Sequence, residues 1–176
     1  MARKKLILIG GAMGIGKTTL GQYLVEKRLD NAVFLDGDWC WYMHPWVFND
    51  ENKKMVLRNI QFLLNSFIAN SSLENIVFVW VMHQQEIIDE LLAGLHGDYE
   101  LYSFSLTATE DELTKRFSKD IDAGIRDQAA LQGAIDRIQM YQDVNSIKID
   151  VTGRNYPENA HKILNEINKG DGTHEN

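Results

Sequence analysis

LILIGGAMGIGKTT, residues 6–19, runs a short aliphatic stretch, Leu6 to Ile9, into a glycine-rich segment and then the pair Lys17–Thr18. Four aliphatic residues in succession, with no polar face, suit a strand buried on both sides. GAMGIGKT, residues 11–18, satisfies G-x-x-x-x-G-K-[ST], and a helix is expected from Lys17, with Leu20 and Leu24 one turn apart. Gly11, Gly14 and Gly16 permit backbone angles closed to other residues, so successive N–H groups can point at phosphate oxygens. The helix N-terminus adds a dipole that favours an anion. Lys17 can reach the β- and γ-phosphates of a nucleotide such as ATP, and the Thr18 hydroxyl can ligate Mg²⁺. Gly11, Ala12, Met13, Gly14, Ile15, Gly16, Lys17, Thr18 and Thr19 are therefore the candidate nucleotide-binding residues, with Lys17 also catalytic.

Outward from this loop, strand and helix patterns alternate. Ala32–Leu35, Ile76–Val81, Tyr99–Leu106 and Ile147–Val151 read as further strands. Val56, Ile60, Leu63, Leu64 and Phe67 fall at helical spacing after Asp50, and Ile87, Ile88, Leu91, Leu92 and Leu95 repeat the pattern. Thr109-Glu-Asp-Glu112 matches a capping box that starts another helix. A further helix is expected from about Asp127 to Gln142, and a last one near Pro157. Five strands separated by helices imply an α/β fold: a parallel sheet between helical layers, with right-handed crossovers. Ligands bind at the carboxyl ends of such strands, where residues 10–16 and 36–48 emerge.

The 176 residues suffice for one core, and residues 1–170 are expected to form a single domain, with 171–176 as a flexible tail. A hydrophobic fraction of 44% and a charged fraction of 24% suit an ordinary soluble protein. The apolar run at Leu6–Ile9 is shorter than the roughly 7 to 15 residues of a secretory signal. No segment approaches the roughly 20 apolar residues of a membrane span. The single cysteine, Cys40, makes a reducing, cytoplasmic compartment the simplest expectation. A formal charge of −7 argues against a general nucleic-acid-binding surface.

The second informative stretch is FLDGDWCWYMHPWVF, residues 34–48. Asp36 and Asp38 are two apart, so in an extended segment they share a face, and Gly37 allows a sharp turn. Read alone, DGD fits a turn and a site equally; downstream of a phosphate loop it reads as a site. Paired carboxylates raise one another's pKa unless a cation intervenes, and Mg²⁺ would be that cation. The aromatic run that follows suits an acceptor pocket in Trp39, Trp41 and Tyr42, with about half of the rings up to Trp46 expected in the core. Water exclusion by such rings would protect a nucleotide from hydrolysis.

GAMGIGKTT, the FLDGD segment roughly twenty residues later and the alternation over nearly the whole chain resemble the P-loop small-molecule kinases. These include shikimate kinase, gluconate kinase, adenylylsulfate kinase, chloramphenicol phosphotransferase and, more distantly, nucleoside monophosphate kinases. The resemblance implies a three-layer P-loop fold with a helical lid, here about residues 115–135. It also implies ATP and Mg²⁺ as cofactors and transfer of the γ-phosphate to a hydroxyl of a small molecule. By matching residues, Asp38 looks like the carboxylate that accepts the hydroxyl proton, and Asp36 like the acid nearer the metal. In such kinases the lid follows the fourth strand, so Arg116 and Arg126 are candidates for clamping phosphates, with Gly124 a flexible point. The loop after the last strand contacts adenine, which points to Gly153 and Arg154.

One feature departs from many P-loop ATPases, which end a core strand with a metal-supporting Asp. IVFVWV instead runs into Met82, His83 and Gln84, leaving metal support to Thr18 and Asp36. His83, at that strand end, is either a substrate contact or a structural histidine. The acceptor is expected to be a small molecule; a nucleotide or nucleic-acid 5′ end is one alternative, and a partner-regulated ATPase switch is another.

Overall fold

Strand β1 (Lys4–Gly10) carries the aliphatic run at the centre of the sheet, and Leu6, Ile7, Leu8 and Ile9 are fully buried. The computed structural model describes residues 3–172. Alternate side chains of β1 serve opposite layers, as the period of two requires. Ile7 and Ile9 join one core cluster with Val77, Val79 and Phe104. Leu6 and Leu8 join the other with Ile76, Phe78, Val56 and Ile60.

The chain then follows the expected alternation. Helix α1 (Lys17–Tyr23) continues through a π turn at Leu24–Arg28 into β2 (Ala32–Asp36). A 3₁₀ helix at Gly37–Trp41 and an irregular stretch lead to α2 (Asp50–Ala69). Next come β3 (Asn75–Trp80), α3 (Gln85–Ala93), β4 (Tyr99–Thr107), α4 (Glu110–Asp122) and α5 (Gln128–Ile138). A 3₁₀ turn at Gln139–Asp143, β5 (Ile147–Asp150) and α6 (Tyr156–Gly172) complete the described chain. All five strands are parallel, in the order β2-β3-β1-β4-β5. Helices cover both faces, which gives the three-layer α/β architecture that the pattern implies. The segment 115–135 comprises the end of α4, a connection and most of α5.

Two local expectations are modified. Half of the capping box at α4 forms: Thr109 Oγ1 accepts from the Glu112 N–H at 3.2 Å. The reciprocal half is displaced, because the Thr109 N–H donates to Thr152 Oγ1 and the Glu112 carboxylate accepts from Arg116. The first residues of the segment expected as a tail, 171–176, continue α6. Asp171 is still helical, paired with Lys5 of β1 at 2.8 Å and accepting from the Tyr102 hydroxyl of β4. The rest of the expected tail, 173–176, lies outside the described residues.

Candidate active site

The loop between β1 and α1 takes its shape from glycine. Gly14 and Gly16 have φ of 81° and 102°, in the left-handed region that L side chains rarely adopt. This turn brings Lys17 inward, where it is buried and donates to the Ala12 carbonyl at 2.9 Å. Burial pushes the Lys17 ammonium down to about 8, against the opposing pull of Asp38 and Asp36. A buried cation with an acidic pair across from it suits a loop that receives negatively charged oxygens.

Strand β2 delivers the acids. Its last residue, Asp36, accepts from the Thr18 hydroxyl at 2.7 Å through one oxygen and from the Asp38 N–H at 2.9 Å through the other. It thus caps the 3₁₀ helix while holding the first turn of α1. Asp38 opens to the cleft, and its carboxyl is raised above the ordinary range by desolvation and then by Asp36. Lys17, Arg126 and a hydrogen bond from Trp80 work in the other direction. Trp80 ends β3, beside the segment where the missing strand-end Asp would stand. A Cβ on Gly37 would lie 2.6 Å from the Trp80 ring, so only glycine lets the DGD turn rest on that indole.

These groups face a cleft of about 390 Å³ lined by Met13, Gly14, Gly16, Lys17, Thr18 and Thr19 from the loop and α1. Asp36, Asp38 and Val81 line its sheet side, and Arg116, Lys119, Asp120, Ile125 and Arg126 its α4 side. An adjoining cleft of about 330 Å³ shares Gly16, Thr19, Arg116 and Lys119 and extends to Val151, Arg154, Tyr156 and Asn159. The buried Asn159 Oδ1 has no hydrogen-bond partner among the described residues. Gly153, at φ 68°, sits in the loop ahead of α6. A larger depression of about 550 Å³ between β5 and α6 shares no residue with either cleft.

The two arginines on the α4 side of the cleft differ in their contacts. Arg116 is committed: its Nε donates to Glu112, and its terminal nitrogens donate to the carbonyls of Ile15, Val151 and Arg154 at 2.9, 2.9 and 3.1 Å. It ties the phosphate loop to the loop after β5. Arg126 is paired with Asp120 at 2.8 Å and lies over the Phe117 ring, and it remains at the cleft surface. Gly124 takes φ 72° just past the end of α4, a favoured helix-stop geometry.

Other sequence candidates lie outside the cleft lining. Trp39 packs edge-on against Phe34, Trp41 leans on the core, and Tyr42 is almost fully exposed. Trp39, one step on in the 3₁₀ helix, leaves the face of Asp38; Trp41 is taken up by the core cluster, and Tyr42 lies past the helix end. His83 turns toward Tyr141, with ring centroids 6.5 Å apart, and its Nδ1 is buried without a partner among the described residues. Burial, and then Arg137, lower its pKa below the ordinary histidine value. Trp80 and Asn159 were not identifiable as site residues in the sequence, since only the sheet register and the α6 packing bring them in.

The donor set fits Mg²⁺ with a nucleotide. Thr18 and Asp36 offer hard oxygens side by side, and among the described residues no cluster of three or more His, Cys, Asp or Glu forms an all-protein metal cage. Mg²⁺ characteristically takes one or two protein oxygens and completes its shell with phosphates and water. Among the described residues no helix is long and apolar enough to cross a membrane.

The fold is shared with solved kinases at low sequence identity. A gluconokinase from Sinorhizobium meliloti 1021 matches over 100% of both chains, with a TM-score of 0.70 at 18% identity. A shikimate kinase from Acinetobacter baumannii, solved with shikimate, matches 96% of this chain and 94% of its own, with a TM-score of 0.63 at 20% identity. A tunicamycin resistance protein from Deinococcus radiodurans matches 94% of this chain and 96% of its own, with a TM-score of 0.63 at 18% identity. No curated protein matches the sequence. A family model described as an AAA domain matches residues 7–134, well over half of the chain, and the chain belongs to that family, with the fold of the P-loop small-molecule kinases.

Proposed function

We propose that the protein is an ATP-dependent phosphotransferase that moves the γ-phosphate to a hydroxyl of a small molecule held beside Asp38. The observation that carries this reading is the pairing, across one cleft, of the buried loop Lys17 with a cleft-facing carboxylate of raised pKa. A raised pKa improves a carboxylate as a proton acceptor.

In this reading the loop N–H groups and Lys17 hold the β- and γ-phosphates. Arg126 exchanges Asp120 for phosphate oxygens on closure. The acceptor oxygen forms a bond to γ-phosphorus as the bond from that phosphorus to the β-bridging oxygen breaks. The hydroxyl proton passes to Asp38, and ADP leaves with the bonding electrons. Because the transition state is loose, alignment matters more than base strength. Mg²⁺, which Thr18 and Asp36 would hold, supplies neutralisation of phosphate charge. Arg154 and Asn159 of the adjoining cleft, with Gly153 beside them, would hold the base of ATP, the Asn159 Oδ1 offering a hydrogen-bond acceptor.

A partner-regulated switch draws less support, because β3 ends at Trp80 and runs into Val81, Met82 and His83 with no acid at the strand end. The test is Mg·ATP turnover against a panel of sugars, sugar acids, nucleosides, nucleotides, cyclic alcohols and hydroxylated antibiotics. Products are identified by mass spectrometry. One phosphorylated acceptor per ADP released supports the proposal; ADP release indifferent to every acceptor contradicts it.

A further inference from the structure

The sheet has an open edge beside α6. Strand β5 ends the order β2-β3-β1-β4-β5, so among the described residues β4 is its one neighbour. The Val151 N–H donates to the Thr107 carbonyl, and backbone groups point to alternate sides along a strand. Those of Ile147 and Ile149 therefore also face β4, while those of Lys148 and Asp150 turn outward. Arg154 takes the Asp150 carbonyl at 3.0 Å; the N–H and C=O of Lys148 and the N–H of Asp150 have no partner among the described residues. A lysine often guards such an edge. Lys148 does not, because its Nζ is drawn back to the Val144 and Ser146 carbonyls and the Ser146 hydroxyl.

The depression of about 550 Å³ between β5 and α6 runs along this edge. Its strand side is apolar, with Ile149 buried and Ile147 39% exposed. Lys162 and Lys169 stand on its α6 side, two turns and about 10 Å apart. Three lysines and one glutamate line the groove, and that glutamate, Glu166, is paired with Lys169 at 2.8 Å. A positive groove on a chain of net charge −7 favours an acidic occupant. The same lysines count against a second copy, since two-fold pairing of β5 with β5 would set like charges together. An extended segment with acids two positions to either side of an apolar residue spaces those acids by about 13 Å on one face, close to the separation of the two lysines.

We propose that the β5 edge and the groove beside α6 dock an extended acidic segment of a partner protein. The segment adds as a sixth strand and sets an apolar side chain on Ile147, with acids reaching Lys162 and Lys169. No residue of the groove lines either nucleotide cleft, so the inference goes beyond the phosphotransferase reading and does not rest on it.

The test titrates acetyl-Glu-Thr-Val-Thr-Glu-amide into the whole chain and follows backbone amides by NMR. Hydrogen exchange at the Lys148 and Asp150 amides is expected to be fast in the free protein and slowed by the peptide, with no shift at Lys17. An analogue with Lys in place of both Glu residues should bind about tenfold or more weakly. Methylating the N–H groups of alternate peptide residues should cost about tenfold in one phase and little in the other, the signature of strand pairing. Lys162→Glu and Lys169→Glu should each weaken the acidic peptide by about fivefold, the scale of one exposed ion pair, with ADP affinity unchanged as the control for folding. No binding of the acidic peptide at millimolar concentration, equal binding of the basic analogue, or equal losses in both methylation phases would overturn the proposal. Slow exchange at Lys148 and Asp150 in the free protein would also overturn it. If independent of concentration, that protection would mean that the chain covers its own edge; if it grows with concentration, that a second copy does.

Discussion

The Thr18 hydroxyl donates to Asp36 across 2.7 Å, joining the first turn of the helix after the phosphate loop to the end of β2. Through the other oxygen of Asp36 the same link fixes the N–H of Asp38. Residues far apart in sequence thereby set one distance, that between the nucleotide phosphates and the proposed proton acceptor. Thr18→Val removes the hydroxyl while keeping the shape. It should raise the Mg²⁺ concentration needed for half-maximal turnover by about tenfold, the usual scale for a charge-assisted hydrogen bond. An unchanged Mg²⁺ titration would remove Thr18 from the metal site.

Lys17 gives a pH signature. In the unliganded protein burial holds it at about 8, whereas phosphate oxygens favour its charged form and raise that value on binding. Nucleotide binding should therefore take up protons around pH 8. Affinity should be flat below pH 7 and fall by up to about tenfold per unit above 8, as expected for one titrating cation. Calorimetry in two buffers of different ionisation enthalpy reads the proton count directly. Proton release, or pH-independent affinity from 7 to 9, would contradict this account of Lys17.

Trp80 tunes Asp38. Its hydrogen bond stabilises the carboxylate, so Trp80→Phe should raise the Asp38 pKa further and move the acid limb of kcat/KM to higher pH. Gly37→Ala should be more damaging. Its new Cβ meets the indole at 2.6 Å, so either the ring or the DGD turn must shift. An unshifted acid limb in Trp80→Phe would mean that the indole does not act on the base.

Asn159 isolates the base from the phosphates. Asn159→Leu should weaken ATP by about tenfold through loss of one hydrogen bond, and leave inorganic tripolyphosphate binding unaltered. Equal losses for both ligands would point to a general packing defect of α6.

The sequence shows most of the fold because its local signals agree. Four consecutive aliphatics in β1, the Thr109 cap and the helical spacing of Val56, Ile60 and Leu64 each act within a few residues. The glycine loop is legible for the same reason: its chemistry is contiguous. What could not be read depends on contacts across the sheet. The order β2-β3-β1-β4-β5 sets Asp36 opposite Val79 and so brings Trp80 to the DGD turn, 43 residues after Gly37. Arg116 is recognisable as a cation near the loop, yet its commitment to three carbonyls follows from how β5 and α4 meet. The partition of Trp39, Trp41 and Tyr42 turned on the bounds of a short 3₁₀ helix and on how Trp41 meets the core cluster, which the pattern of aromatics does not encode.

Proton acceptance by Asp38 from an alcohol attacking ATP is read by single-turnover transfer from Mg·ATP to the best acceptor of the panel, comparing the native protein with Asp38→Asn. The rate should be lower by roughly 10² to 10⁴ in the variant, the span of general-base contributions, with ATP affinity retained. Transfer at the native rate by Asp38→Asn would contradict proton acceptance by Asp38.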